Sequence, residues 1–291
     1  MSEEIQIQNS LRDQFGFEEI IRNQENIYKH CTSLDLSNIT FIEPYSMLSL
    51  LLIGRNFLRQ KGERLKLVNI PLNILQYLDR MDFNKTGIFE INEKIPDQML
   101  LKRSSQSKSI IEIKEIPNKE RESVKMISEV IKLFRKRASY ILRFWFDANI
   151  IDYFVTVISE LCQNIFEHSL DSGYITLQSY TNGRTNTVRL VISDSGIGII
   201  KSFEKTDVEY SSSADLIKKS MTTPISSKRK NGYGLCQVYS IMEKINGDIF
   251  IRSENASVAI LFSRNKNTPH VFVKDDLDYF NGTQISLSLT A

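Results

Sequence analysis

The sequence predicts an α/β domain followed by an α+β two-layer sandwich, and three observations carry that expectation. Upstream of residue 102, short apolar runs with period two alternate with longer runs of helical period, the order of a sheet covered by helices. Residues 102–109 read Lys-Arg-Ser-Ser-Gln-Ser-Lys-Ser, polar and charged without apolar periodicity, which places a boundary there. Beyond residue 110, two long helical patterns precede a series of strand patterns, as in a sheet with helices laid on one face. The expected organisation is a domain over 1–100, a linker over 101–109 and a second domain over 110–291.

In the first domain the patterns predict a short strand near Ile5, a helix over 17–28 and a strand over 33–42. A helix over 45–60, a strand over 65–69, a helix over 71–81 and a strand over 88–91 follow. In the second domain a strand is expected over 110–116 and helices over 119–139 and 147–168. Strands follow over 174–180 and 187–193, a helix over 234–244, and strands over 248–253, 257–263, 271–274 and 284–289. Asn182-Gly183, Asn246-Gly247 and Asn281-Gly282 read as tight connections. The segment from Ile199 to Asn231 is long, rich in Ser and Lys and weakly periodic, and reads as a loop.

Composition narrows the function by exclusion. With 41% hydrophobic and 25% charged residues the chain reads as globular, and its net charge of +2, from 37 basic and 35 acidic residues, offers no footprint for nucleic acid or an anionic membrane. The cysteines, Cys31, Cys162 and Cys236, lie far apart without metal-ligand spacing, so neither a disulfide scaffold nor a zinc site is expected. No basic start with an apolar run opens the sequence, and its longest apolar stretch is far short of a bilayer span, so a cytoplasmic location is expected.

Three segments in the second half carry chemistry. Glu160-Leu-Cys-Gln-Asn164 lies in the helical pattern Phe154, Val155, Ile158, Leu161, Ile165, so Glu160 and Asn164 stand one turn apart on the opposite face, with His168 one turn further. Asp194-Ser-Gly-Ile-Gly198 follows the β-branched run 187–192, setting a carboxylate at a strand end beside two glycines. Gly232-Tyr-Gly-Leu235 opens a helical pattern, where free backbone N–H groups can cradle phosphate oxygens. Taken singly, each also describes an ordinary feature: a solvated helix face, a turn, a glycine-bounded helix start. Their joint order and context decide for a single pocket.

That ordered set resembles the GHKL ATPase superfamily of gyrase B, MutL, histidine kinases and anti-sigma-factor serine kinases. Within it the chain is most similar to the anti-sigma kinases, because Glu160, Asn164 and His168 follow Glu-x-x-x-Asn-x-x-x-His, and Gly282-Thr283 before the alternating strand 284–289 looks like the superfamily's final strand. The resemblance implies a Bergerat fold for 110–291 with ATP and Mg²⁺ as ligands. It implies Asn164 as the Mg²⁺ ligand and Glu160 as the catalytic base, with His168 near phosphate. Asp194 would accept from the exocyclic amine of adenine, and Gly196 and Gly198 would let backbone pass close to base and sugar. Gly232, Gly234, Leu235 and Thr283 would complete the pocket. The segment 199–231 is similar to the superfamily's mobile ATP lid, from which Lys228, Arg229 or Lys230 would reach the terminal phosphate.

Upstream, residues 34–43, Leu-Asp-Leu-Ser-Asn-Ile-Thr-Phe-Ile-Glu, followed by an apolar helix, Gly62 and 65–68, resemble the STAS domain of anti-sigma-factor antagonists. Those antagonists accept phosphate on a Ser after the acidic residue. Here Pro44 and Tyr45 follow Glu43, and Ser46 serves only if the turn is shifted. Two functions stay open: an enzyme that hydrolyses ATP or phosphorylates a partner protein on Ser or Thr, and a non-catalytic module in which ATP gates partner binding. A regulatory protein partner is implied in both, with homodimerisation also open. A histidine kinase is disfavoured, since the upstream His30 lies inside the first domain.

Overall fold

The structure is a computed structural model describing residues 3–7, 11, 13–100, 107–118, 124–183, 185–225, 227, 234–262 and 268–291. The chain divides into two compact units, Met1–Ser107 and Lys108–Ala291. Among the described residues no helix is long and apolar enough to cross a membrane.

The first unit runs β1 (Glu3–Gln6), α1 (Gln14–Arg22), α2 (Gln24–His30), β2 (Cys31–Asp35), α3 (Pro44–Lys61), β3 (Leu65–Val68), α4 (Leu72–Arg80) and β4 (Phe89–Ile91). Its four strands are all parallel, in the order β1-β2-β3-β4. α3 is buried on every side from Pro44 to Phe57, so apolar residues recur at almost every position rather than on one stripe. Gly54 brings it close to the sheet, since a Cβ there would lie 2.4 Å from the Phe89 ring.

Two expected elements of this unit end early. The helix over 17–28 is broken at Asn23, whose amide side chain donates back to the Glu19 carbonyl at 3.0 Å, so α1 and α2 are separate. The strand over 33–42 stops at Asp35, because its carboxylate accepts from Ser37 N at 2.7 Å and from Asn69 Nδ2 at 3.0 Å and turns the chain. Ile42 forms an isolated parallel bridge with Leu11, outside the four strands. Ser46 is not shifted to the surface. It lies in the first turn of α3, fully buried, with its hydroxyl donating to the Asp13 carbonyl.

The second unit runs β5 (Ile110–Ile116), α5 (Val124–Leu142), α6 (Ala148–His168), β6 (Gly173–Asn182), β7 (Thr185–Asp194), α7 (Ile199–Phe203), α8 (Ser213–Thr222), α9 (Gly234–Lys244), β8 (Asp248–Glu254), β9 (Ala256–Leu261), β10 (His270–Lys274) and β11 (Phe280–Thr290). All seven strands pair antiparallel, in the order β10-β9-β8-β11-β7-β6-β5. Alternation sets the faces: Val188, Leu190 and Ile192 of β7 and Ile285, Leu287 and Leu289 of β11 join one core with Phe154, Ile158, Leu161 and Ile165 of α6.

The described part of the 199–231 segment, residues 199–225 and 227, is more ordered than its composition suggests. It holds α7 and α8, and α8 buries Ala214, Leu216, Ile217 and Met221 in the same core. Ser212 caps α8 by accepting from Asp215 N, and Asp275 Oδ1 accepts from Ala214 N at 2.7 Å. Three helices, α7 and α8 besides the expected α9, therefore fall between β7 and β8 among the described residues. Asn281-Gly282 is likewise not a turn: it is a bulge inside β11, where pairing to β8 shifts register between Phe280 and Thr283.

Leu216 is fully buried, so Leu216→Ala is expected to lower the unfolding free energy by about 2–5 kcal/mol, as for other large-to-small core changes. Guanidinium titration followed through Trp145, the chain's single tryptophan, which packs against this core, measures it. A loss below about 0.5 kcal/mol is the response of a surface loop and would contradict the packing of α8.

Candidate functional site

α6 supplies one wall of a cleft because its apolar face is spent on the sheet, leaving Glu160, Asn164 and His168 on the other side, partly exposed. The end of β7, the loop into α7, the start of α9 and β11 close the remaining sides. The cleft encloses about 910 Å³ of space, open solvent at its mouth included. Its walls are mostly apolar, with Leu161, Ile165, Ile192, Phe203 and Ile285 among them, and its polar points include Asn164, His168, Asp194 and Thr283.

At one end, α9 begins against α6. A Cβ on Gly234 would fall 3.1 Å from Asn164 Oδ1 and 3.6 Å from Glu160 Oε2, so the start of α9 packs close against both side chains and a larger residue there would press on Asn164. Leu235 lines the cleft beside it. Burial raises the Glu160 carboxyl above its ordinary range, with the nearby Glu167 charge adding to the shift. His168 also lines the cleft and lies 3.8 Å from the Glu167 carboxylate.

At the other end, Asp194 is 5% exposed. Its Oδ1 accepts from Ser169 Oγ at 2.7 Å and from Gly196 N at 2.8 Å, and a backbone N–H of Thr283 also reaches the carboxylate. Burial pushes the carboxyl up to about 6; those donors oppose the shift and the neighbouring Asp171 charge reinforces it. Asp171 is itself buried and held by Ser195 Oγ at 2.7 Å. Gly282 has φ 83, and a Cβ there would lie 2.1 Å from the Asp194 carbonyl oxygen, so only glycine brings Thr283 this close.

The two glycines after Asp194 serve the protein's own packing. A Cβ on Gly196 would meet the Ser169 carbonyl oxygen at 1.8 Å, and Gly196 is not among the lining residues. A Cβ on Gly198 would meet Glu254 Oε2 at 2.6 Å, although Gly198 itself lines the cleft. Glu160 stands behind the lining at the Gly234 end. Lys228, Arg229, Lys230 and Gly232 lie outside the described residues. Sequence reasoning missed Ser169, Asp171, Ser253 and Glu254. The first two read as turn residues after a helix and the last two as a strand end, and nothing local ties them to Asp194 or Gly198.

Residues 149–274 match the family described as histidine kinase-, DNA gyrase B- and HSP90-like ATPase. This segment is a GHKL-type ATPase domain. The antiparallel sheet with its helices is consistent with the Bergerat fold of that group, and membership implies ATP binding. The parallel α/β unit before it has no assigned family. No curated protein matches the chain.

The geometry of Asp194 gives a signed pH dependence. Its folded pKa of about 6 stands above the ordinary 3.8, so between these values the folded protein holds the extra proton. The associated stability is present below about 3.8 and is lost as pH rises through about 6. Asp194→Asn removes this titration, so its unfolding free energy relative to the unsubstituted protein should rise by up to about 3 kcal/mol between pH 4 and pH 7. Urea titrations of both proteins across that range test it; a pH-independent difference would contradict the buried carboxylate.

Proposed function

We propose that the ATPase domain binds ATP with Mg²⁺ and transfers the terminal phosphoryl group, either to water or to a Ser or Thr of a partner protein in the manner of anti-sigma kinases. The observation that carries this reading is the pairing of two chemically different ends in one cleft: a buried acceptor, Asp194, and the amide of Asn164, with Glu160 one turn away on α6.

Asp194 accepts from the exocyclic amine of adenine; guanine carries a carbonyl at that position and would set an acceptor oxygen against the buried carboxylate, with no donor for it. Thr283, beside it, contacts the same half of the ligand. Asn164 lines the cleft and offers an amide oxygen, which suits a hard cation that keeps several waters and takes one or two protein oxygens. When bound there, Mg²⁺ neutralises the phosphate charge. Glu160, one turn away, orients and deprotonates the attacking hydroxyl, a task for which a carboxyl raised above its ordinary range is better matched to neutral pH. His168, the N–H groups of Gly232, Gly234 and Leu235, and the basic group Lys228, Arg229 and Lys230 complete the phosphate end in this reading.

A second reading treats the chain as a partner switch in which ATP changes the surface offered and turnover is incidental. The fusion of a STAS-like unit to a kinase-like domain motivates it, since those two families act on each other when separate. Self-phosphorylation at the first turn of α3 is not favoured, because Pro44 lacks a hydroxyl and Ser46 is fully buried.

Glu160→Ala is expected to lower phosphoryl transfer by about 100-fold or more, the usual contribution of a general base, with ATP affinity little changed. Asn164→Ala is expected to abolish Mg²⁺-dependent ATP binding. Incubation with γ-labelled ATP and Mg²⁺, with and without host lysate, separates labelled protein from free phosphate. Turnover of ATP by Glu160→Ala at the original rate would overturn the enzymatic reading.

A further inference from the structure

The wall of the cleft next to Asp194 is fixed by a side chain far from it in sequence. Ile199 N donates to Ser253 Oγ at 2.8 Å and Lys201 N donates to Glu254 Oε2 at 2.9 Å, and the Ile200 N–H reaches the same carboxylate. The opening amides of α7 are thus taken by two consecutive residues at the end of β8. Glu254 is 5% exposed and has φ 55, a left-handed conformation that a non-glycine residue holds only where its surroundings demand it.

The fully buried Arg252 donates through Nη1 to the Glu254 carbonyl at 2.9 Å and through Nη2 to the Asp278 carbonyl at 2.6 Å. The Tyr279 hydroxyl donates to the Glu254 carboxylate from that same connection between β10 and β11. The carboxylate lies directly under Gly198, whose missing Cβ makes the space. α7, held this way, sets Ile199, Ser202 and Phe203 on the cleft wall.

Resting on the nucleotide reading, we propose that Glu254 is a positioning residue: by accepting the opening amides of α7 it holds the Gly198-to-Phe203 wall against the adenosine half of the ligand. It touches neither phosphate nor metal. Its loss therefore weakens ATP and ADP alike, because both carry the same adenosine. A carboxylate is suited to the place because two amides and a phenol converge on it, whereas the amide of Gln has one acceptor oxygen and keeps only part of the set.

Calorimetric titration of the full chain with ATP and with ADP, each with Mg²⁺, is paired with hydrogen exchange over residues 199–203. Glu254→Ala is expected to weaken both nucleotides by about tenfold or more with their ratio preserved, and to speed exchange in 199–203. Glu254→Gln should recover part of both losses. Should Glu254→Ala fail to fold, Tyr279→Phe removes one donor to the carboxylate, and is expected to speed the same exchange and weaken both nucleotides equally. Unchanged affinity and exchange in the folded variants would overturn the proposal, as would a loss confined to ATP. If the unsubstituted protein binds neither nucleotide, the nucleotide reading itself fails; the exchange rates then decide alone whether Glu254 holds α7.

Discussion

A carboxylate almost without access to water, Asp194, constrains everything around the cleft. Burying that charge is costly, so the fold must bring donors to it: Ser169 from the end of α6, Gly196 from its own loop and Thr283 from β11. Each donor needs a device of its own. Thr283 arrives only because Gly282 bulges out of register at a positive φ, and the Gly196 amide turns back only because the loop presses against the Ser169 carbonyl. A buried carboxylate whose pKa is raised by burial in the wall of a cleft is the kind of group that clusters at functional sites.

The opposite end follows from ordinary helix geometry. A residue pair one turn apart on a helix whose other face is spent on the core must face away from the sheet, and α9 begins with a glycine at that point. Two regular elements, α6 and β11, carry Asn164 and Thr283 and so fix the separation between the two ends of the cleft.

Much of this was legible in the sequence, for identifiable reasons. β5 and α9 have the expected bounds, because an isolated apolar run and a glycine-opened amphipathic run have few competing interpretations. The pairing of Glu160 with Asn164 needed only helical period. What escaped depended on distant partners. α8 reads as a Ser- and Lys-rich loop, and its cap from Asp275 comes from across the fold. The end of β2 was decided by Asn69, which no local window over 33–42 contains. The motif glycines Gly196 and Gly198 were visible, but the reason for them was not, since Ser169 and Glu254 fill the space that a ligand seemed to require.

The central claim is that one nucleotide spans the cleft from Asp194 to Asn164 and Glu160. A crystal structure of the full chain with Mg²⁺ and a non-hydrolysable ATP analogue tests it most directly. The expected result places the exocyclic amine of adenine within hydrogen-bond distance of an Asp194 oxygen, with the terminal phosphate in front of Asn164 and the opening turn of α9. An adenine bound away from Asp194, or phosphates directed away from α9, would contradict it.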